Sequence, residues 1–375
     1  MEICAIICEF NPFHNGHKYL IEQAKKITGC DAVLCIMSGS FTQRGEICRT
    51  DKFLRAKHAV LCGADAVLEL PAPFAVAPAE IFARGAVKII SVLPQVKHLA
   101  FGCESGSDGD FLHAAQILLN ENDGFKRALN KGLDGGDSYI KSLTAAFTAC
   151  GGRGDLLSLP NNILGTEYAK AVLKSGAHIR LAPVKRVGAG YSDGGLAGEY
   201  SSARGIRLNA GNPEIKKSMP ACSYEDFVNS RENAQRFEQL AADWLFMCDR
   251  ENLKRVYGCS EGLENRLKSL AFGHNFNEIV ELAAGKRYTK ARVRRILCGN
   301  LLGLYADDTE KFLKGDISAN ILAVKRERAD ELLPLLTLTD GDGLCRGITA
   351  RTYALWRYLS APLLADNPNE KVLFV

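Results

Sequence analysis

Short apolar runs that recur about every thirty residues constrain this chain more than any other feature. Residues 3–8 (Ile-Cys-Ala-Ile-Ile-Cys) form an unbroken apolar run of strand length; Ala32–Met37, Ala66–Leu70, residues 97–102 and His178–Val184 form four more. Runs this uniform belong to strands buried on both faces. Between them lie segments of helical period. Over 15–28, Leu20, Ala24 and Ile27 share one face, Lys18, Glu22, Lys25 and Lys26 take the other, and Gly29 supplies the stop. Helices are likewise expected over 51–62 and 78–91, within 107–149 and over 162–175. Strand and helix in alternation build βαβ units around a parallel sheet, so the expected class is α/β.

From about Ser223 the texture changes. Segments 224–257, 261–284, 289–304 and 308–314 read as helices, with few strand candidates. The Pro-, Asn- and Gly-bearing stretch 209–221 is the natural boundary. The expected division is therefore residues 1–215, a sheet domain, and 216–375, a mainly α-helical domain; 375 residues suffice for both. Trp244, Leu245 and Phe246 are expected in the helical core. No apolar stretch reaches about 18 residues, so no membrane span is expected, and the N-terminus has no signal-peptide pattern. The thirteen cysteines are scattered without a CxxC pair, which reads as free thiols in a reducing cytoplasm rather than a zinc site; no metal ligands are assigned. A formal charge of +4 gives no global basicity. A nucleic-acid partner must then be met by a local patch; neither DNA nor a membrane is expected.

The chemistry gathers where the first strand ends, in Cys8–His17, "CEFNPFHNGH". A parallel sheet binds ligands beyond the carboxyl ends of its strands. Here Asn15 is the expected helix cap, and Gly16 clears space where phosphates approach the backbone. His14 lies just outside the helix and His17 in its first turn, so both rings can converge on an anion at the positive end of the helix dipole. The site suits attack on a nucleotide phosphate with pyrophosphate leaving, the imidazoles acting as donors and an adjacent polyphosphate favouring their charged form. The bland alternative is that both histidines merely cap and pack. A zinc pair would want a third ligand that no nearby spacing offers.

"NPFHNGH" after a buried first strand resembles the HxGH signature of the Rossmann-like nucleotidyltransferase superfamily. "MSGSFTQRGE" (Met37–Glu46), "DKFLRAKHAVLCGADAVLELP" (Asp51–Pro71), "FGCE" (Phe101–Glu104), "PNNILGTEYAKA" (Pro160–Ala171) and "YSSARGIR" (Tyr200–Arg207) follow in the order of one bacterial family, the tRNA(Met) cytidine acetate ligases. Ser40 stands where that family often has asparagine. The resemblance implies a Rossmann-like parallel sheet, with ATP and acetate giving acetyl-adenylate and pyrophosphate. The acetyl group then passes to the wobble cytidine of elongator tRNA(Met), forming N4-acetylcytidine. It implies catalytic roles for His14 and His17. It implies ATP contacts along Ile7, Cys8, Glu9, Phe10, Asn11, Pro12, Phe13, His14, Asn15, Gly16, His17, Lys18, Tyr19 and Leu20, and at Gly102 and one of Asn161 and Asn162, with Asn162 preferred and the other asparagine a cap. ATP is the co-substrate; Mg²⁺, if used, rides on its phosphates, because no dedicated carboxylate site is visible.

Three further stretches read on their own. Lys185 and Arg186 follow the fifth strand, where a guanidinium fork matches phosphate oxygens, so Arg186 is assigned to ATP, the alternative being a plain surface basic pair. Ser201 and Ser202 open a helix with amides and hydroxyls available to an anion, or are an ordinary cap; the stretch resembles the Ser-Ser-x-x-x-Arg phosphate motif of nucleotidyltransferases, which implies that Arg207 meets the β- or γ-phosphate. Lys52 and Arg55 are a cationic cluster suited to phosphate or RNA, or else a solvated helix start capped by Asp51. Gly188, Gly190, Gly194, Gly195 and Gly198 make a lid or a linker. Lys286, Arg287, Lys290, Arg292, Arg294 and Arg295, beside Tyr288, form a basic run with no acid, suited to a tRNA backbone or merely solvated. Two other functions stay open: a small-molecule adenylyltransferase, which leaves the helical half unexplained, and a non-catalytic RNA- or nucleotide-binding protein of the same fold.

Overall fold

The computed structural model describes residues 1–188, 194–231, 233–285, 287–338, 341–360 and 372–375. Its first strand, β1 (Ile3–Cys8), is buried at every position and lies in the middle of a sheet. β2 (Ala32–Ser38) runs parallel on one side, Ile3 opposite Ala32 and Cys8 opposite Met37. β3 (Ala66–Leu70) follows β2. On the other side β4 (Val96–Cys103) pairs with β1, and β5 (Arg180–Lys185) with β4. The order β5-β4-β1-β2-β3 reverses direction at β1, which makes the crevice above the carboxyl ends of β1 and β4 the topological switch point.

Alternation along each strand feeds two cores. Ile3, Ala5, Ile7, Leu34 and Ile36 face one side, together with α3 (Ala72–Ala75), α4 (Ala79–Ser91), α5 (Asp108–Asn120) and α8 (Pro160–Ser175). Cys4, Ile6, Cys8, Val33 and Cys35 face the other, against α1 (Asn15–Thr28) and α2 (Lys52–Leu61). The expected stretch 107–149 resolves into α5, α6 (Asp123–Asp134) and α7 (Tyr139–Ala149). After the short α9 (Ala203–Leu208) come α10 (Ala221–Asn229), α11 (Ala234–Met247), α12 (Arg250–Arg255), α13 (Leu263–Leu270), α14 (Phe276–Ala283), α15 (Lys290–Leu302), α16 (Ala306–Lys314), α17 (Ala329–Leu336) and α18 (Gly343–Ser360).

The C-terminal half is not helical throughout. β6 (Ile321–Val324) pairs antiparallel with β3, and β7 (Leu373–Phe374) extends the sheet beyond it. Runs of four and two residues are too short to show a period in the sequence. α18 also returns to the first half: Trp356 Nε1 donates to the Cys48 carbonyl (2.6 Å) and the Tyr353 hydroxyl to Asp51 (2.8 Å). One apolar core runs continuously from Ile3 to Leu359, across position 215/216. Within it Leu245 is fully buried, but Trp244 and Phe246 stand 46% and 48% exposed at the end of α11, Phe246 against the ring of Phe272. All thirteen cysteines are free, eight of them buried. No helix among the described residues is long and apolar enough to cross a membrane.

Candidate active site

The turn leaving β1 is built around two residues in unusual settings. Phe10 adopts a left-handed backbone (φ 50°), a conformation that costs a non-glycine residue about 1–2 kcal/mol. It is compensated by complete burial of the ring, which lies edge-on to Phe13 and His17 (centroids 4.9 and 4.8 Å). Arg55 is wholly buried beneath the turn and donates to the carbonyls of Glu9 (2.6 Å), Ser38 (3.1 Å), Thr50 (3.0 Å) and Gly39. Lys52 beside it is buried against Glu69 (2.9 Å). The expected phosphate- or RNA-binding role of Lys52 and Arg55 is therefore replaced by a structural one: both clamp the ends of the strands.

His14, not Asn15, caps α1. His14 Nδ1 accepts the Gly16 N–H (3.0 Å) and His17 Nδ1 accepts the His14 N–H (3.3 Å), a capping box made of two imidazoles. Asn15 is instead the first helical residue, its amide donating to the carbonyls of Glu199 and Lys217. The two rings stack at 3.7 Å between centroids. Gly16 leaves room for this stack: a Cβ there would lie 2.9 Å from His14 Cε1. With both Nδ1 atoms accepting, each neutral ring carries its proton on Nε2, on the side left for the cleft. Neutrality is enforced. Burial, helped by the charges of Arg186 and Arg207, pulls His14 down to about 3, and burial with His14 and Arg186 holds His17 well below its ordinary value. The charged form expected beside a polyphosphate is not the resting state.

Both rings line a cleft of about 780 Å³ above the switch point, within the range of small-ligand sites. Gly102 and Arg186 line its β4–β5 side, next to each other: a Cβ on Gly102 would meet the Arg186 side chain at 3.4 Å, ordinary contact. Gln43, Glu46 and Arg49, after β2, line the opposite side. Glu9 is half-buried between, accepting the Gln43 N–H (2.6 Å); desolvation pushes its carboxyl up. Arg207 joins the two halves of the rim, donating to the Asn11 carbonyl (2.5 Å) and to Glu46 (2.7 Å).

The HIGH Nucleotidyl Transferase family model matches residues 1–336. A tRNA(Met) cytidine acetate ligase of Acetivibrio thermocellus is 36% identical over 334 residues, 84% of this chain and 80% of its own. Another from Caldicellulosiruptor saccharolyticus is 38% identical over 79% of this chain and 76% of its own. The crystal structure of Thermotoga maritima TmcAL bound with alpha-thio ATP is similar over the whole of both chains, with a TM-score of 0.87 at 26% identity. The chain belongs to the tRNA(Met) cytidine acetate ligase family.

Of the residues that family resemblance assigned to ATP, all but Pro12, Phe13, Asn15, Lys18 and Asn162 line the cleft. Phe13 and Pro12 pack inward, and Lys18 is exposed beside Glu22. Asn162 is fully buried, its amide taken up by Glu104 N–H, Ser105 and the Asp155 carbonyl, and Asn161 is the member of the pair at the cleft. Neither caps α8. The helix starts at Pro160, and the Glu104 carboxylate accepts the amides of Asn161 (3.3 Å) and Asn162 (3.0 Å) in a cap's place. Ser201 and Ser202 reach the cleft wall, but their hydroxyls are engaged internally: Ser202 caps α9, and Ser201 meets Ser218 (2.8 Å) and the Ala197 N–H.

The family's basic run divides in two. Arg292 holds the Gly258 carbonyl, Arg294 meets Asn277 and Glu238, and Arg295 donates to the Gln43 carbonyl (3.3 Å), with burial lowering its pKa to about 10. Arg287 and Lys290 are exposed, paired with Glu261 (3.9 Å) and Glu281 (2.6 Å) at the surface; Lys286 lies outside the described residues, as do residues 189–193 of the glycine-rich loop. Lys290 and Arg294 both reach the cleft. Sequence reasoning gave no site role to Glu46, Arg49 or Phe237, which join the cleft through packing between distant segments. Among the described residues no cluster of three His, Cys, Asp or Glu side chains is arranged to hold a metal.

Proposed function

We infer that the chain activates acetate with ATP and transfers the acetyl group to the wobble cytidine of elongator tRNA(Met), giving N4-acetylcytidine. The family membership and the likeness to an ATP-analogue-bound structure support the substrates. The observation that carries the mechanism is the pair of imidazoles whose Nδ1 atoms are occupied by backbone amides, so that two neutral Nε2–H donors are left for the cleft. An acetate oxygen attacks the α-phosphorus, the bond to the β-phosphate bridging oxygen breaks, and pyrophosphate departs. His14 and His17 donate to the oxygens on which charge grows, and Arg186 adds a guanidinium fork. The cytidine N4 amine then attacks the acyl carbon, AMP leaves, and the amine loses a proton. No protein nucleophile is needed. The cleft carboxylates Glu9, Glu46, Glu238 and Glu281 are engaged with Gln43, Arg207, Arg294 and Lys290, so they do not fit a resident Mg²⁺ site; an ion arriving with ATP stays on the phosphates. Exposed Arg287 and Lys290, the latter lining the cleft, suit the tRNA backbone. Localisation in the cytoplasm accords with a tRNA substrate.

Incubation with ATP, labelled acetate and bulk tRNA, followed by nucleoside analysis, tests the reading. Acetate-dependent ATP–pyrophosphate exchange and labelled acetylcytidine are expected. Exchange that ignores acetate but responds to a mononucleotide or pantetheine phosphate would overturn it in favour of a small-molecule adenylyltransferase. RNA binding without any AMP release would point to a non-catalytic protein.

A further inference from the structure

We propose that the side-chain amide of Asn11 receives the carboxylate of the acid substrate, and that this contact, not one to the nucleotide, is its role; this rests on the function inferred above. Asn11 lies three residues before His14, is 4% exposed and lines the cleft. It is held from two sides. Its backbone carbonyl accepts from Arg207 (2.5 Å), and its Oδ1 accepts the Arg49 N–H (3.3 Å). Those contacts fix which way the amide is turned. Oδ1 points at the segment after β2, so Nδ2 faces away from it, and Nδ2 has no hydrogen-bond partner. A buried amide donor without an acceptor is an energetic penalty that protein interiors rarely carry, and it calls for a partner that completes it.

Position argues for the acid rather than ATP. The residues suited to the nucleoside and phosphates, Gly102, Asn161 and Arg186, lie on the β4–β5 side of β1. Asn11 is tied to the β2 side, through Arg49 and the adjacent Cys48, whose N–H meets the Ser40 carbonyl (2.9 Å). An in-line displacement needs its nucleophile on a side of the phosphorus that the leaving group does not occupy. The donor is also of the right kind. A neutral amide holds one carboxylate oxygen without pairing its charge, and the other oxygen stays nucleophilic. The guanidinium that touches the Asn11 backbone, Arg207, is engaged with Glu46. Ile47, two residues from Arg49, lines the same cleft and offers an apolar wall to a methyl group.

Asn11→Asp tests this, because the isosteric carboxylate keeps an acceptor for the Arg49 N–H while replacing the amide donor with a charge that repels acetate. Asn11→Ser, which loses the donor's reach without adding charge, covers the case in which the aspartate variant does not fold. In acetate-dependent ATP–pyrophosphate exchange, the KM for acetate should rise about ten- to a hundredfold, the weight of one hydrogen bond to a charged group. The KM for ATP should stay within about twofold of wild type. An unchanged acetate KM in the folded variants, or an ATP KM that rises in parallel, overturns the assignment. The wild-type chain measured alongside separates the two readings. Absence of acetate-dependent exchange there overturns the inferred function and this inference together, whereas exchange that persists with an unaltered acetate KM overturns the role of Asn11 alone.

Discussion

The histidine pair couples catalysis to stability, because the same rings that face the cleft also cap α1. Replacing His17 by alanine removes one donor and one cap acceptor; acetyl-adenylate formation should fall about 10²–10³-fold, with a loss of about 1 kcal/mol in stability, read by exchange kinetics and urea unfolding. Gly16→Ala should act on the other ring of the pair. Its Cβ, 2.9 Å from His14 Cε1, pushes the ring out of the stack, so activity should drop by up to about a hundredfold while α1 gains helix propensity. The pH dependence has a definite sign. Both imidazoles are neutral when folded, so below an unfolded-state pKa of about 6.5 the unfolded chain binds protons that the native chain does not. Stability contributed by His14 is complete above that value and is lost as pH falls toward its folded pKa of about 3. Glu9, pushed up by burial, acts in the opposite direction. The histidine part is therefore the difference between wild type and His14→Gln in unfolding free energy at pH 7 and 5.5, at most about 1.4 kcal/mol per pH unit; equal slopes would count against a buried neutral ring. The motif was legible in the sequence as chemistry and not as geometry. Nothing in the spacing says that histidine, a poor cap by propensity, would displace Asn15 from the cap.

At the level of elements, helix termini are held by side chains that the sequence does not place beside them. Glu104, at the end of β4, closes the first turn of α8 from 57 residues away. Glu104→Ala should lower stability by about 1–2 kcal/mol. It should also loosen Asn161, whose amide it fixes at 2.6 Å, raising the KM for ATP; a denaturant midpoint and an ATP titration check both. A pattern reader finds the helix and the asparagine pair but assigns the cap locally, because local caps are the common case. α15 shows the same limit. Its run of arginines reads as one basic surface, yet tertiary packing turns Arg292, Arg294 and Arg295 inward and leaves Arg287 and Lys290 to solvent. Two outcomes should therefore differ. Arg287→Ala with Lys290→Ala should weaken tRNA binding uniformly and flatten its dependence on the logarithm of salt by up to about 2. Arg295→Ala should instead destabilise the fold, since it removes the donor that ties α15 to the 42–46 loop.

For the whole molecule, the question is whether the first 215 residues form a unit that folds alone. The five parallel strands are legible from their apolar runs, and so is a site above the central one. The closure of the sheet is not, because it depends on β6 and β7, too brief to carry a pattern, and on side chains whose partners lie hundreds of residues away. Lys52 and Glu69 are buried together (2.9 Å), and the acid also accepts from Asn320 (2.8 Å), next to β6. Removing the C-terminal half strips that third partner, exposes the edge of β3 and uncovers the apolar surface now under α18 and α11. A buried ion pair stripped of its surroundings, with an open, apolar edge strand, is a recipe for aggregation rather than folding. We therefore expect residues 1–215 expressed alone to be insoluble or molten, and the full chain to unfold in one transition when followed by tryptophan fluorescence and far-UV circular dichroism. Trp244 and Trp356 both lie beyond residue 215, whereas most helix and all five parallel strands report the whole chain. Coincident midpoints for the two signals are what a continuous core requires; a fluorescence transition well separated from the loss of helix would establish two independently folding domains in its place.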